Sequence, residues 1–296
     1  MSDRFVLIGH PVGHSLSPVI HAAAYRALGR SASYDLVDAP DEAAVRRVLD
    51  ELREGRIRGA NVTVPWKRLA LALADRVDES ARAVGAANVL ARAEDGAVVA
   101  YNTDALGLAE ELREVSMEAG QSPESTTACV IGNGGAALGA VVACGLAGVR
   151  RVRVVARRFR ANEPRTSWSD AEAFERLGAE LVAWPGTGDE VWERAASESG
   201  LFVQATSAGM QGAAPGDAIA ALVPWRERGR GSVVAYDLVY RPAETPFLAE
   251  ARAAGHVTRG GLGMLVRQAA FAIEIWWSVL PPIAPLFEAA RGALGR

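Results

Sequence analysis

Midway along the chain, the stretch "VIGNGGAALGAVVACGLAG" passes from a strand pattern through a glycine-rich turn into a run of small residues, and this junction restricts the fold more than any other segment. Gly132, Gly134 and Ala137 stand in G-x-G-x-x-A spacing. The first glycine permits a tight turn, the second lets backbone approach a pyrophosphate, and the small third residue lets the helix pack closely, its free N–H groups receiving negative charge. A glycine-rich turn before a buried helix would use the same glycines without a ligand. The strand "ACVIG" opens a series continued by "RVRVVA", "AELVAW", "GLFVQAT" and "GSVVAYDLV", with helical or loop segments between them, as a doubly wound sheet requires.

A different unit must precede that turn. The first third reads as a strand "RFVLIG", a helix from Pro18 to Leu28, a strand "SYDLVD", a helix over "DEAAVRRVLDELREG" and a strand "IRGANVTVP". Asp95-Gly96 within "NVLARAEDGAVVAYN" marks a β-hairpin. A helix from Thr103 to Glu118 and the polar "AGQSPESTT" lead into the second series, and two apolar helices follow Gly263. The expected division is residues 1–105, 106–260 and 261–296. With 296 residues, half of them hydrophobic, the chain has room for two α/β domains.

Charge and cysteine usage narrow the partner. A formal net charge of -3 gives no electrostatic case for nucleic acid or an anionic membrane, which leaves a small molecule. Cys129 in a strand and Cys144 in a helix suit a reduced, cytoplasmic interior rather than a disulfide framework. The opening "MSDRFVLIGHP" carries no apolar stretch long enough for a signal peptide, and "GAALGAVVACGLAGV" is too short to span a bilayer. His10, His14 and His21 cluster in sequence, but Pro11 and Gly13 keep the first two off a common helical face, so no metal site is expected.

Three groupings bear chemistry. Arg157 and Arg158 end the strand after the glycine turn, where an NAD-selective site would offer an acid to the ribose hydroxyl; a guanidinium suits a ribose 2'-phosphate, which points to NADP, although a solvated basic edge would read the same way. "NVTVPWK" ends a strand with Asn61 and Thr63 on one face and delivers Lys67 at a helix start, while "YNTD" places Asp104 at the domain boundary. Brought together across a cleft, the two hold a proton relay; taken singly, they are a surface lysine and a helix N-terminal acid. Finally, "GHSLSPVIH" sets Ser15 and Ser17 around a leucine: Ser17 before Pro18 reads as an N-cap, which leaves Ser15 unexplained unless both hydroxyls face a ligand.

The ordered blocks "GHPVGHSLSP", "GANVTVPWK", "VGAANVL", "YNTDALG", "IGNGGAA", "VQATSAGM", "YDLVYRPAETP" and "GLGMLVRQA" resemble, over nearly the whole chain, the shikimate dehydrogenases and their quinate-using relatives. The resemblance implies an N-terminal α/β substrate domain, a Rossmann-like NADP domain and C-terminal helices returning to the first domain. It implies catalysis by Lys67 and Asp104, with the substrate carboxylate at Ser15 and Ser17. Ring hydroxyls would meet Asn61, Thr63, Asn88, Asp104 and Gln268, and Tyr240 would line the substrate site. Cofactor contacts would fall at Gly132, Asn133, Gly134, Gly135, Ala136, Arg157, Arg158, Thr206 and Gly261. The implied activity is NADP-dependent interconversion of 3-dehydroshikimate and shikimate, a step of aromatic amino acid biosynthesis on the chorismate pathway, by a cytoplasmic monomer or homodimer. Val89 in place of the usual threonine, Asn133 in the glycine turn, and Ala156 and Arg158 flanking Arg157 depart from the family pattern. They keep open a quinate or aminoshikimate dehydrogenase using NAD or NADP, or a non-catalytic NADP(H)-binding regulator.

Overall fold

The computed structural model describes residues 3–186, 188–229 and 233–295. The chain forms two compact units, Met1–Gly107 with Leu265–Arg296, and Leu108–Met264. Among the described residues no helix is long and apolar enough to cross a membrane.

The first unit is built on a six-stranded sheet of β1 (Asp3–Gly9), β2 (Ala32–Asp38), β3 (Gly59–Val62), β4 (Arg76–Val77), β5 (Val89–Arg92) and β6 (Val98–Tyr101), in the order β2-β1-β3-β5-β6-β4. β1 runs parallel to β2 and β3, and β5 antiparallel to β3 and β6. Between the strands lie α1 (Ser17–Ala27), α2 (Glu42–Arg53), α3 (Lys67–Leu73) and α4 (Glu79–Val84). Asp41 starts α2 by accepting the Ala44 N–H at 2.8 Å, and Ala44, Val45, Val48, Leu49 and Leu52 recur at helical spacing to bury one face. Each large side chain removed from water there contributes about 1.5–3 kcal/mol. The expected hairpin forms between β5 and β6, with Gly96 at φ +89° supplying the left-handed turn residue.

Two local readings need correction. α1 does not take Ser17 as its N-cap: Leu16 occupies that position, and the Ser15 hydroxyl accepts the Ser17 backbone N–H at 3.2 Å. Ser17 is thus already the first helical residue, and its side chain is buried. β3 ends at Val62, so Thr63 lies beyond the strand and does not share a strand face with Asn61; its N–H still reaches the Ile8 carbonyl at 2.8 Å.

Entering the second unit, α5 (Asp104–Glu118) leads to β7 (Thr127–Ile131), α6 (Gly135–Ala147), β8 (Arg151–Ala156), α7 (Ala171–Arg176), β9 (Glu180–Ala183), α8 (Glu190–Ser197), β10 (Leu201–Gln204), α9 (Asp217–Ala220), β11 (Val234–Asp237), α10 (Pro246–Ala253) and β12 (Val257–Gly260). All six strands are parallel in the order β9-β8-β7-β10-β11-β12, the doubly wound order of a dinucleotide fold. β12 escaped the sequence reading because four residues that include Thr258 and Arg259 carry no hydrophobic period. Gly231 and Ser232, which open the expected segment "GSVVAYDLV", lie outside the described residues. Ala137, Ala140, Val141, Ala143, Cys144 and Ala147 bury the small-residue side of α6.

The last two helices, α11 (Leu262–Trp277) and α12 (Ile283–Leu294), complete the first unit. Trp276 stacks on Phe5 at 4.4 Å, Trp277 meets Phe5 edge-on at 5.2 Å, and the Trp276 indole N–H donates to the Leu90 carbonyl at 3.1 Å. A Cβ on Gly59 would fall inside the Trp276 indole. On the same side of the sheet His21 stacks on Tyr34 at 4.0 Å and lies 5.5 Å from Trp276. Burial pushes its imidazole down to about 3, against a weaker upward influence from Asn61.

Replacing Gly59 with alanine should therefore destabilise the protein by about 1–3 kcal/mol, the scale of overpacking a closed core. Urea unfolding at wild-type midpoint would show that the indole moves aside freely. His21, neutral in the folded state, titrates near its ordinary value of 6.5 once unfolded. The unfolded chain thus binds more protons between about 6.5 and about 3, and stability should fall as pH drops through that window. His21→Phe keeps the aromatic stack and should flatten the fall in melting temperature between neutral pH and pH 5; an unchanged slope would assign it to other groups.

Candidate active site

In the first unit the polar residues singled out in the sequence join one hydrogen-bonded network. The Ser15 and Ser17 hydroxyls are 3.1 Å apart, and Ser17 also hydrogen-bonds the Tyr34 phenol. The Tyr34 hydroxyl donates to Asn61 Oδ1 at 2.7 Å, and Asn61 Nδ2 donates to the Asn88 carbonyl at 3.2 Å. Asn88 in turn uses its whole amide. Its Oδ1 accepts the Thr103 backbone N–H at 2.7 Å, while its Nδ2 donates to Thr103 Oγ1 at 3.0 Å and to Gln268 Oε1 at 3.3 Å. Thr103 Oγ1 closes the loop by donating to the Gln268 carbonyl at 3.0 Å. Asn61, Asn88, Thr103 and Gln268 are all buried, so each polar atom left unpaired here would cost about 1–3 kcal/mol.

Lys67 and Asp104 meet beside this network. Lys67 Nζ donates to Asp104 Oδ2 at 2.6 Å, with the two side chains 32% and 20% exposed. Both residues lie in the first unit, which extends to Gly107 and takes in the start of α5. Lys67 opens α3 after a turn in which Trp66 N–H bonds the Thr63 carbonyl at 2.9 Å and the Trp66 indole donates to the Ala39 carbonyl at 2.8 Å. Asp104 opens α5, where the helix dipole favours a carboxylate, and Asn102 Oδ1 accepts the Ala105 N–H at 3.2 Å. A charged amine held on a carboxylate, both still reached by solvent, is equipped to pass one proton to a substrate oxygen.

In the second unit the glycine turn joins β7 to α6. Gly132 has φ +131°, and a Cβ there would press on the Ala205 carbonyl and the Thr206 side chain at 3.1 Å. Gly134, Gly135 and Ala136 are exposed, with open space above both glycines, and the first turn of α6 carries neither a side-chain cap nor an acid. Free N–H groups facing open space fit a pyrophosphate. Asn133 donates to the Ser169 hydroxyl at 2.8 Å, tying the turn to the loop after β8. Arg157 and Arg158 lie exposed at the end of β8, and among the described residues neither has an ion-pair partner, as suits a site for an added phosphate. Thr206 Oγ1 accepts the Ala208 N–H at 3.1 Å within the loop after β10. Gly261 is buried, its missing side chain making room for the Leu238 carbonyl.

Tyr240 also lies in the second unit, on the loop after β11, and is not part of the network in the first. Asp237 shapes that loop by accepting from Thr245 Oγ1 at 2.6 Å and from the Val239 N–H at 2.9 Å. Burial pushes its carboxyl up to about 6, the two hydrogen bonds acting the other way.

Sequence reasoning missed Tyr34 and Thr103. Tyr34 reads as one more aromatic in an edge strand, and only the folded sheet carries its hydroxyl over β1 to Asn61. Thr103 had a signal, since it sits between the two polar residues of "YNTD", but its role rests on contacts 165 residues away.

Residues 7–90 match the family model of the shikimate dehydrogenase substrate binding domain. The shikimate dehydrogenase (NADP(+)) of Caulobacter vibrioides is 39% identical over 274 residues, 92% of this chain and 89% of its own length. That of Thermus thermophilus is 39% identical over 292 residues, 99% of each chain. A crystal structure of the Thermus thermophilus enzyme in complex with NADP(H) and shikimate superposes with a TM-score of 0.79 at 36% identity, covering 99% of this chain and 100% of that one. Carrying the hydrogen-bonded network, the lysine–aspartate pair and the glycine turn, and with likeness of this extent, the chain belongs to the shikimate dehydrogenase family.

Proposed function

We propose that this chain catalyses the reversible NADP-dependent reduction of 3-dehydroshikimate to shikimate, with Lys67 and Asp104 as its acid/base pair. The observation that carries the assignment of the pair is the 2.6 Å contact between Lys67 Nζ and Asp104 Oδ2, next in sequence to Thr103 of the buried polar network. NADPH supplies hydride to the carbonyl carbon. As charge develops on the carbonyl oxygen, the Lys67 ammonium donates the proton that makes it a hydroxyl, and in the reverse direction the neutral amine takes that proton back. Asp104 holds Lys67 charged and aimed, so little reorganisation accompanies the transfer.

Binding is divided between the units. In the first, Ser15 and Ser17 take the substrate carboxylate, and Asn61, Thr63, Asn88, Asp104 and Gln268 take the ring hydroxyls; Tyr240 of the second unit also serves the substrate. In the second unit Gly132, Asn133, Gly134, Gly135 and Ala136 hold the pyrophosphate, Arg157 and Arg158 the 2'-phosphate, and Thr206 and Gly261 the remainder of the dinucleotide. Two exposed arginines without ion-pair partners among the described residues, in place of an acid, favour NADP over NAD. Retention of the Lys67–Asp104 pair argues against a non-catalytic regulator. The enzyme serves aromatic amino acid biosynthesis in the cytoplasm, as a monomer or a homodimer.

An assay matrix of shikimate, quinate and aminoshikimate against NADP and NAD tests the substrate and cofactor together. Shikimate with NADP should give the highest kcat/KM, and a preference for quinate would move the assignment to the alternative dehydrogenase. Lys67→Ala should lower kcat by about 100- to 10,000-fold with a much smaller change in KM. A folded variant retaining rates within a few fold of wild type would remove Lys67 from the mechanism. Arg157→Ala should raise KM for NADPH by the loss of about 1–3 kcal/mol and leave NADH nearly unaffected. An unchanged preference would place 2'-phosphate recognition at Arg158 or in the loop beyond it.

A further inference from the structure

Asn61 is a buried amide whose orientation is fixed at both ends. The Asn88 carbonyl, itself held by the Val62 N–H at 2.9 Å, accepts one Asn61 Nδ2 hydrogen at 3.2 Å. The Tyr34 hydroxyl donates to Asn61 Oδ1 at 2.7 Å. A flipped amide would set its oxygen against the Asn88 carbonyl, two acceptors facing each other. Tyr34 itself has little freedom, since its ring stacks on His21 at 4.0 Å with 16° between planes and its oxygen also meets Ser17. The His21 ring also hydrogen-bonds Asn61, and its upward influence marks the amide oxygen as the partner, so among the described residues Nδ2 keeps one acceptor for its two hydrogens, which leaves a single N–H. Val89, paired with Asn61 across β3 and β5 and fully buried, has no hydroxyl with which to take it.

We propose that Tyr34 is a positioning residue for this reaction: by holding Asn61 Oδ1 it presents Asn61 to the ligand as a pure hydrogen-bond donor, and the site thereby selects a ring oxygen with a free lone pair. The proposal rests on the assignment of Asn61 to the substrate made above. It extends that assignment from contact to polarity and names a residue that never needs to touch the ligand. A ring hydroxyl or carbonyl satisfies the N–H, whereas a ring ammonium has no lone pair to offer it. Tyr34 also joins the serine pair to the amide network, so one phenol aligns the groups at both ends of the substrate.

The test compares wild type, Tyr34→Phe, Asn61→Ala and the double variant in shikimate oxidation with NADP. Tyr34→Phe should raise KM for shikimate about ten-fold, the size of one buried neutral hydrogen bond, with kcat within about three-fold and KM for NADP unchanged. In the Asn61→Ala background the same change should have less than about two-fold effect, because its route to the substrate is gone. A KM for Tyr34→Phe equal to wild type, or an equal effect in both backgrounds, would overturn the proposal; a purely structural tyrosine would act equally in both. Should Tyr34→Phe not fold, the side-chain amide signals of Asn61 in wild type, assigned by their loss in Asn61→Ala, decide the matter by NMR. A shift on adding shikimate supports the donor role, and signals that do not respond overturn it. Wild-type protein that neither turns over nor binds shikimate removes the functional reading itself, and this proposal with it.

Discussion

The amide of Asn88 is the constraint on which the first unit's polar interior depends. One side chain engages the backbone and hydroxyl of Thr103 and the side chain of Gln268, which lie 15 and 180 residues away. Because Thr103 immediately precedes Asp104, fixing its N–H fixes where α5 starts and therefore where the carboxylate stands. Because Gln268 lies on α11, the same knot secures that helix to the sheet. Asn88, Thr103 and Gln268 satisfy one another here, and a buried group that loses such a partner incurs the full cost of an unpaired polar atom.

Much of this was legible in one dimension. The second unit was readable because β7, β10 and β11 are nearly continuous apolar runs and the glycine turn has a mechanical reason at Gly132, where a Cβ would press on the Ala205 carbonyl. Lys67 and Asp104 were visible as chemistry, whereas the direct contact between them depends on how α3 and α5 are set against the sheet, which no local pattern reports. Ser17 was misjudged as a cap for a local reason: the helix begins one residue earlier than the Ser-Pro pair suggests, which makes Ser17 its first helical residue. Tyr34 was invisible because its significance is a distance across three strands. Periodicity reports which face a residue occupies, and not which atom waits on that face.

The polar groups of the two units are built on different principles. The first unit uses hydrogen-bonded side-chain amides in a closed interior, which gives rigid, directional groups. The second uses backbone N–H groups and exposed arginines over open space, a looser arrangement suited to a long, flexible, highly charged ligand. The Asn133 contact with Ser169 is the exception, joining the glycine turn to the loop after β8 through a side-chain hydrogen bond.

The stack of Trp276 on Phe5 has a bearing on how the protein is made. The sheet of the first unit begins within the first ten residues, yet the indole that covers Phe5 and Gly59 belongs to a helix near the other end of the chain. On a ribosome, the continuous stretch Leu108–Met264 has all it needs to fold as soon as it emerges. The strands synthesised before it lack the Trp276 and Trp277 rings that pack on Phe5 until α11 is made. The unit whose strands are made first is thus the last to have its full complement of helices, because α11 and α12 leave the ribosome at the end of synthesis.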